Sequence, residues 1–444
     1  MARKITSFLV CSACFAHTTL YGQDSAQAPV KWDLQTCLDY ASKNNYQLNT
    51  LRFSKQTSEE SLLLSKAAVL PGVSGAATEY YTHSKNANPV VGGFQTESSF
   101  SSNYSVSSTW TLFNGGFLKE DIKQKTLQEN SASLDIVQQQ DDITLQVTQA
   151  YLNILLSKEN IVYEQDLLNT SQSQLKQGQQ QFDAGSIAKK DLVTLQAQLA
   201  TDKYNLVSAQ NAQRQNILTL KQLLLLPSEF AFDISVPDTL IATALVANLE
   251  EVQKVALDTR PEVKISELGV QIARLDLAKA KAEYLPTAAI GAAVATGYSN
   301  NASDAYLKQI DDNFYQQLGL TLSIPIFTRR VNKTNVEKSK IEVDQADLTL
   351  NNTKTVLSQT VEQAYINVLN AQGQYDAAVD QVTATREGYR IATEELKVGA
   401  VNTVDMLLQK NLYVQALQNY IQAKYSAALN IRIYNFYKGE PIKL

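Results

Sequence analysis

Apolar and polar residues alternate with a period of two in two stretches of the chain, one ending near residue 112 and one near residue 326. This period is typical of a β-strand with one apolar and one polar face. Weaker partner stretches precede them, so we predict two strand pairs, at about 72–114 and 287–327, with polar loops at about 83–99 and 299–312 between their strands. A half-buried strand of a soluble sheet would show the same pattern. The apolar face of the two clear strands consists of Tyr104, Val106, Trp110, Leu112, Leu318, Leu320, Leu322 and Ile324.

A seven-residue apolar spacing follows each strand pair and predicts long helices. The sequence between Gly116 and Gly185 has no proline, and about 70 helical residues would extend roughly 100 Å. The spacing is that of a coiled coil, although flanking glutamines favour helices packed side by side around water over a dry two-stranded zipper. The repeated positions are Val147, Ile154, Ile161, Leu168, Leu175 and Phe182, and then Val361, Val368, Tyr375, Val382, Tyr389 and Leu396.

These features occur twice because the chain is internally duplicated. Ala-Tyr-Leu-Asn at 150–153 returns as Ala-Tyr-Ile-Asn at 364–367, 214 residues later, and Gly185 and Gly399 have the same offset. Each glycine is placed to take the left-handed conformation that ends a helix. We therefore predict structural repeats at 24–227 and 248–444, joined by a linker at 228–247. The long α-hairpins of these repeats are expected at 115–226 and 330–437.

The first 23 residues have the pattern of a signal peptide, with Arg3 and Lys4 before a short apolar run. We expect cleavage near residue 22 or 23. Lipidation of Cys11 or Cys14 is the alternative, although neither lies in a good lipobox. No run of 18 apolar residues follows, so we predict no transmembrane helix. An exported chain of this kind is soluble or crosses a membrane as strands.

The composition gives little support for catalysis. A formal net charge of −5 provides no electrostatic footprint for nucleic acid. The mature chain keeps one histidine, His83, expected in a polar loop at about 83–99, and one cysteine, Cys37, expected to be a core residue. A zinc site or a nucleophile–histidine pair is therefore implausible. We expect no enzyme activity, no cofactor and no metal.

The number of strands limits how the chain can cross a membrane. Two strands in each half give four per chain, which cannot close a barrel, and a sheet edge cannot face lipid. The smallest outer-membrane barrels have about eight strands. If these strands span lipid, several chains share one barrel, as a dimer with eight or a trimer with twelve. The strand count does not choose between them.

Taken together, the sequence resembles the TolC-type outer-membrane channels, the outer membrane efflux protein family. The resemblance covers essentially residues 31–441. It rests on the duplication, the strand entries at 66–71 and 281–286, Ser-Ile-Pro-Ile-Phe at 323–327, and a Gly-x-x-x-x-x-Asp motif at each tip. It implies a mostly α fold with a small transmembrane β part. In that fold a homotrimer forms a 12-stranded β-barrel continued by an α-helical barrel across the periplasm.

The resemblance also implies a function and partners. The expected role is a passive outer-membrane exit duct of a tripartite efflux or type I secretion system. Small molecules or unfolded protein would pass from an inner-membrane pump and a periplasmic adaptor protein to the outside. One alternative is that the chain is itself a periplasmic adaptor, although adaptors usually carry a single hairpin between small β domains. Another is an exported coiled-coil structural protein, which would not explain the matched strand pairs.

The hairpin tips contain the candidate pore-entrance residues. Asp191 and Asp405 each follow a tip glycine, Gly185 or Gly399, by six residues. One interpretation is simple complementation of the helix dipole. The resemblance implies instead that Asp405, repeated three times, lines a narrow entrance where like charges attract cations.

The same tips hold the residues expected to contact an adaptor. For Lys189 and Lys190, the alternative is that they form a solvated charged pair without a role. A gate made of salt bridges is doubtful here, because apolar Leu396, Val401 and Leu408 occupy positions where charged groups would stand. The expected contacts are Ser186, Lys189, Lys190, Val401 and Asn402.

Overall fold

The computed structural model describes residues 30–87, 92–237 and 240–442, and in these ranges the chain is mostly helical. The predicted signal peptide, with Cys11 and Cys14, lies outside the described residues. The elements of the first half are β1 Val30–Trp32, α1 Leu34–Asn44, α2 Tyr46–Ala67, β2 Gly72–Ala87, β3 Phe94–Asn114, α3 Phe117–Asp183 and α4 Lys189–Leu223. Those of the second half are β4 Phe232–Ile234, α5 Leu249–Thr259, α6 Pro261–Ala282, β5 Thr287–Ser299, α7 Tyr306–Asp312, β6 Tyr315–Ser323, α8 Val331–Lys397 and α9 Thr403–Tyr437.

The two long hairpins have matching dimensions. α3 and α8 have 67 residues each, and α4 and α9 have 35 each. The longer helices therefore extend about 100 Å. Every position of the seven-residue register is buried or half-buried, as its spacing predicts. The register residue Tyr389 of α8 stacks on Tyr413 of α9, with ring centroids 5.9 Å apart.

The shorter helices cover the half of each long helix that lies nearer the sheet. α2 packs on α3, while α6 packs on both α3 and α8 and so joins the two halves of the chain. Lys279 of α6 donates to Asp121 of α3 at 2.8 Å. α2 and α6 each end three residues before a Leu-Pro pair, where proline cannot continue a helix and the chain turns into the sheet. Within the described part of the chain, no helix is both long and apolar enough to cross a membrane.

Four strands form one antiparallel sheet in the order β2-β3-β5-β6. The helices join the sheet at the end where Gly72 pairs with Thr109 and where Thr287 pairs with Asn114 and Ser323. β2 and β3, with 16 and 21 residues, extend further from the helices than β5 and β6, with 13 and 9. The first half therefore supplies a hairpin that projects beyond the rest of the sheet.

The structure corrects three sequence predictions about the strands. β6 ends at Ser323 rather than near residue 327, because Pro325 has no N–H for the ladder, so Ile324 lies just outside the strand. His83 is in β2, opposite Ser98, rather than in a loop, and its Nδ1 lies 2.8 Å from the Ser98 hydroxyl. The connection predicted as a polar loop at 299–312 contains α7.

A second, two-stranded sheet was not predicted. β1 pairs in parallel with β4, so the segment expected to be a plain linker contributes a strand. Three residues are too short for an alternation pattern to reveal. The adjoining core includes Cys37, whose burial raises the pKa of its thiol to about 12. In the same core the Tyr151 hydroxyl donates to the Ser235 carbonyl at 2.6 Å.

Candidate functional site: the sheet faces and the hairpin tips

One face of the four-stranded sheet is apolar across three strands. Trp110 pairs with Ile290, which pairs on its other side with Leu320, and Val106 pairs with Val294. The structure thus brings the predicted apolar residues of β3 and β6 onto one surface. Leu318, Leu320 and Leu322 are 79, 69 and 61% exposed within the chain. An exposed apolar surface of this kind marks a contact with lipid or with another protein.

Small and polar residues form the opposite face. Ser105 and Ser107 of β3 stand beside Ala295 and Ala293 of β5, and Gly291 of β5 pairs with Gly319 of β6. Thr321 follows on β6 two residues after that glycine, on the same face. These short side chains leave room on their side of the sheet and can be wetted. The two faces therefore differ as the inner and outer surfaces of a water-filled barrel differ.

A register shift between Thr111 and Phe113 adds one residue to the apolar face. Leu112 is the extra residue of a β-bulge, and Phe113 pairs with Ala288, two residues before Ile290. Simple alternation would assign Phe113 to the polar face. The residue is 49% exposed and belongs with the apolar surface.

Tyr104 marks the end of the apolar face that is farther from the helices. Its hydroxyl donates to Glu79 at 3.5 Å and accepts from Tyr306 of α7 at 3.0 Å. The Tyr306 ring lies 4.9 Å from that of Tyr298. Rings with polar tips are typical of a membrane–water interface.

The two hairpin tips have the same backbone geometry. Gly185 and Gly399 are left-handed, with φ of 76° and 74°. At each tip the next N–H donates five residues back, from Ser186 to Gln181 and from Ala400 to Glu395, in a Schellman motif. The tips lie side by side at one end of the molecule, since Gln174 of α3 donates to the Tyr389 hydroxyl of α8 at 2.9 Å.

Asp191 and Asp405 lie in the first turns of α4 and α9. Asp405 is exposed and Asp191 is half-buried. Neither carboxylate makes an ion pair or a side-chain hydrogen bond with any described residue. Both are placed to complement a helix dipole, and both remain free for a ligand or a neighbouring chain.

The residues predicted to contact an adaptor lie around these tips. Ser186, Lys189, Lys190 and Asn402 are exposed, and Val401 is half-buried. Asn402 also caps α9, because its side-chain oxygen accepts from the Asp405 N–H at 3.0 Å. The equivalent position before α4 is Ala188, which gives no side-chain cap. Asn402 therefore has a structural role that the sequence analysis did not anticipate.

A buried polar cluster above the tips was also missed. The Lys410 ammonium of α9, with 0% exposure, donates to Asp202 of α4 at 2.6 Å and to Ser171 of α3 at 2.5 Å. Ser171 donates to the same carboxylate, and Gln198 donates to its other oxygen at 2.8 Å. The cluster thus ties the second hairpin to both helices of the first. A removed partner would leave an unpaired charge in the interior.

Glu164 of α3 is a second buried carboxyl group near this cluster. One oxygen accepts from Gln418 of α9 at 3.4 Å, and the other has no partner. Burial raises the pKa of the Glu164 carboxyl, a shift increased by Asp202 and opposed by the Gln418 hydrogen bond and Lys410. Among the described residues, no group of three or more His, Cys, Asp or Glu side chains could hold a metal ion.

The apolar and polar sheet faces and the paired hairpins define an outer-membrane channel protein. The family described as "Outer membrane efflux protein" matches residues 37–224 and 252–431. The chain belongs to this family, whose members are channel proteins rather than enzymes. The predicted family, the mostly α fold class and the outer-membrane location are confirmed. The match favours the channel over the adaptor and the coiled-coil alternatives.

Individual relatives agree with this assignment. The chain is 21% identical over 439 residues to the outer membrane efflux protein BepC of Brucella suis, covering 96% of this chain and 90% of BepC. It is 23% identical over 310 residues to the alkaline protease secretion protein AprF of Pseudomonas aeruginosa, covering 68% of this chain and 62% of AprF. The structure of the outer membrane protein VceC from Vibrio cholerae matches with a TM-score of 0.78 at 13% identity, covering 91% of this chain and 96% of VceC. At that identity the structural likeness shows the fold.

Proposed function

We propose that the chain is one subunit of a homotrimeric exit duct that crosses the outer membrane and extends into the periplasm. One observation carries the proposal: the sheet has an exposed apolar face, and its edge strands β2 and β6 have no outer partner among the described residues. A strand edge in lipid would leave backbone groups unsatisfied, so β6 of one copy pairs with β2 of the next until the sheet closes. Three copies give twelve strands, and the family resemblance favours three over two.

The dimensions of the sheet support a membrane span. Tyr104 and Phe113 border the apolar face of β3 and are nine residues apart. Nine residues cover about 30 Å along a strand, and the usual barrel tilt reduces this to about 23 Å across the membrane. The apolar band of outer-membrane barrels is about 25 Å tall. The projecting end of the β2–β3 hairpin then lies outside the cell.

The polar face of the sheet lines the lumen, which the hairpins continue towards the inner membrane. We infer that solutes pass without chemical change. The efflux protein BepC and the secretion protein AprF among the relatives support a role in tripartite efflux or type I secretion. The cargo is then small molecules or unfolded protein delivered by an inner-membrane pump.

The tips are the proposed entrance and adaptor-binding region. Three copies of Asp405 would form a negative ring there, and the exposed Lys189 and Lys190 would present positive charge to a periplasmic adaptor. The units that carry the tips are two structural repeats, 24–227 and 248–444. The matched lengths of their helices and the equal geometry of their turns support this division.

Arginine substitutions on the two faces of β6 test the barrel. Leu320→Arg places a charge on the apolar face and should cost about 2–4 kcal/mol near the membrane midplane, lowering the yield of trimer. Thr321→Arg is the matched control on the lumen face and should assemble normally. Native mass spectrometry of detergent-extracted protein should show three chains. A stable monomer with full β content, or equal tolerance of both variants, would contradict the proposal.

A further inference from the structure

We propose that the end of the sheet nearest the long helices binds an anionic phospholipid. The lipid lies in a groove between β3 and α3, and a second one lies at the equivalent positions of the second half. The inference rests on the proposed membrane placement of the sheet but concerns a separate surface. Its ligand is a lipid whose acyl chains lie on the apolar face and whose phosphate lies just beyond it, on the helical side.

The groove itself has the two kinds of surface that such a lipid needs. It has a volume of about 600 Å³ and lies where β3 ends and α3 begins. Trp110, Leu112 and Phe113 form its apolar wall and are 42, 45 and 49% exposed. The Trp110 indole donates to the Val69 carbonyl at 2.8 Å, which fixes the ring at the rim. Tryptophan in this position is typical of a membrane interface.

Two lysines line the same groove on its helical side. Lys119 is exposed and makes no ion pair or side-chain hydrogen bond with any described residue. Lys123 is bound to Glu120 at 2.8 Å, so its charge is partly used within the chain. Lys119 is therefore the principal cation available to a phosphate in the first half.

The second half repeats the chemistry with more charge. At the 214-residue offset, Leu112 and Phe113 correspond to Ile326 and Phe327, which are 93 and 84% exposed. Lys119 corresponds to Lys333. Each half of the chain thus places an exposed phenylalanine six residues before a lysine in the first turn of its long helix.

The corner between strand and helix gives the second half two further cations. Gly115 and Gly116 in the first half have φ of 68° and 87°, a left-handed pair that glycine adopts freely. Arg329 and Arg330 take the same corner with φ of 47° and 69°. Both arginines are exposed, and neither makes an ion pair or a side-chain hydrogen bond with any described residue. An arginine fork fits phosphate oxygens closely and binds them more strongly than a neutral donor does.

The position of the groove and the cations beside it together indicate that its ligand is an anionic lipid. The apolar surface of the groove continues the face proposed to contact lipid, so acyl chains reach it without leaving the bilayer. Unpaired cations follow at the depth where the lipid phosphates of the inner leaflet begin. A neutral protein partner would have no need for the cations, and a soluble anion would have no need for the exposed aromatic and aliphatic side chains.

The test compares retention of phosphatidylglycerol and phosphatidylcholine by the purified full-length trimer, counted by native mass spectrometry. The native protein should retain phosphatidylglycerol preferentially. The double variant Arg329→Gly/Arg330→Gly has the same two residues at this corner as the first half. Glycine adopts the left-handed conformation freely, so the variant should still form the trimer. Each cation removed should weaken phosphatidylglycerol retention about fivefold, and Lys119→Gln should behave in the same way. Lys176→Gln, an exposed lysine of α3 away from the sheet, is the matched control and should retain the lipid.

Equal retention of phosphatidylglycerol by the native protein and these variants would overturn the proposal. Equal retention of both lipids by the native protein would overturn it too, because head-group charge would not matter. Loss of the trimer in the native protein would instead contradict the proposed barrel. The two ideas are therefore tested separately by the same spectra.

Discussion

The first and second hairpins share one backbone plan but differ in what they bury. Their helices have equal lengths, and their tip glycines differ by only two degrees in φ. The buried Asp202 of the first hairpin, however, corresponds to Ala416 in the second, and Glu164 corresponds to Ala378. Lys410 corresponds to Gln196.

This difference shows that the residues that determine the shape of a hairpin are not the residues that determine which helices it packs against. Apolar spacing and tip glycines are present in both copies and suffice for the shape. A buried ion pair is costly to desolvate and is satisfied only when the correct partner arrives, so it specifies a contact more than it strengthens one. In a ring of three chains, the Lys410–Asp202 pair would distinguish the junction within a chain from the junction between chains.

The largest effect should come from breaking this pair. Lys410→Met leaves Asp202 charged, buried and unpaired, which should lower the free energy of unfolding by about 3–5 kcal/mol. The measurement is the midpoint of helix loss in guanidinium, followed by circular dichroism in detergent. Adding Asp202→Leu removes the stranded charge and should recover much of the loss. A double variant as unstable as the single one would mean that packing, not charge, dominates this junction.

The tip glycines should show that the two backbones are equivalent. Gly185→Ala and Gly399→Ala each force a side chain into a left-handed turn, at a cost of about 1–2 kcal/mol. A β-carbon at either position would meet no atom within 4 Å, so the cost is conformational rather than steric. Thermal unfolding should therefore shift by similar amounts in both variants. Clearly unequal shifts would show that one tip is supported by contacts that the other lacks.

The helix caps should reveal a smaller asymmetry. Asn402→Ala removes the side-chain acceptor of the Asp405 N–H and should destabilise the protein by about 1 kcal/mol. Ala188→Asn introduces the missing cap before α4, where the backbone is already extended, and should stabilise it. Hydrogen exchange at the first turns of α4 and α9 is the direct measurement. Protection from exchange should fall at the start of α9 in Asn402→Ala and rise at the start of α4 in Ala188→Asn. No change in either variant would argue against capping.

Glu164 should make a modest, pH-dependent difference. Because the folded-state pKa of its carboxyl is raised above 4.5, the protonated form is favoured in the folded protein. Its contribution to stability is then full below pH 4.5 and is lost as the pH rises through the raised pKa. Glu164→Gln should be more stable than the native protein at pH 8, and the difference should shrink towards pH 4.5. A constant difference across this range would exclude titration of Glu164 as its cause.

The smallest effect on stability, but a clear one on conduction, is expected at the tip carboxylates. Asp405→Asn should weaken cation preference in single-channel recordings, because in the proposed trimer it removes three charges from a confined ring. Asp191→Asn is the matched variant of the first hairpin and should change selectivity less if only the second repeat faces the lumen. Unchanged selectivity in Asp405→Asn would leave dipole complementation as the better account.

The sequence predicted those parts of the fold that depend on local periodicity. The seven-residue register, Gly185 and Gly399 identified the hairpins, and the alternation ending at Leu112 identified the strands. The bulge that moves Phe113 to the apolar face was not predictable, because it depends on pairing with β5. Similarly, β4 is a strand only because β1 lies beside it.

The buried cluster was missed because its members are distant in sequence. A signal did exist, since Asp202 stands seven residues from both Leu195 and Ala209, and all three are buried. Lys410 likewise stands seven residues from Leu417. An acidic residue in one apolar register and a basic residue in another are each puzzling alone. Only the fold, which brings α4 and α9 together, makes them a pair.

The equal helix lengths constrain how the length of the helical part of this protein can change. Deleting one heptad from α3 alone would shorten that arm by about 10 Å and remove its register with α4. The first tip would then stand above the second, and the end of the tunnel would no longer be level. A shorter or longer channel therefore requires matched insertions or deletions in four helices at once. Because of the duplication, the length of the periplasmic part depends on both halves of the chain and cannot be changed by altering one helix alone.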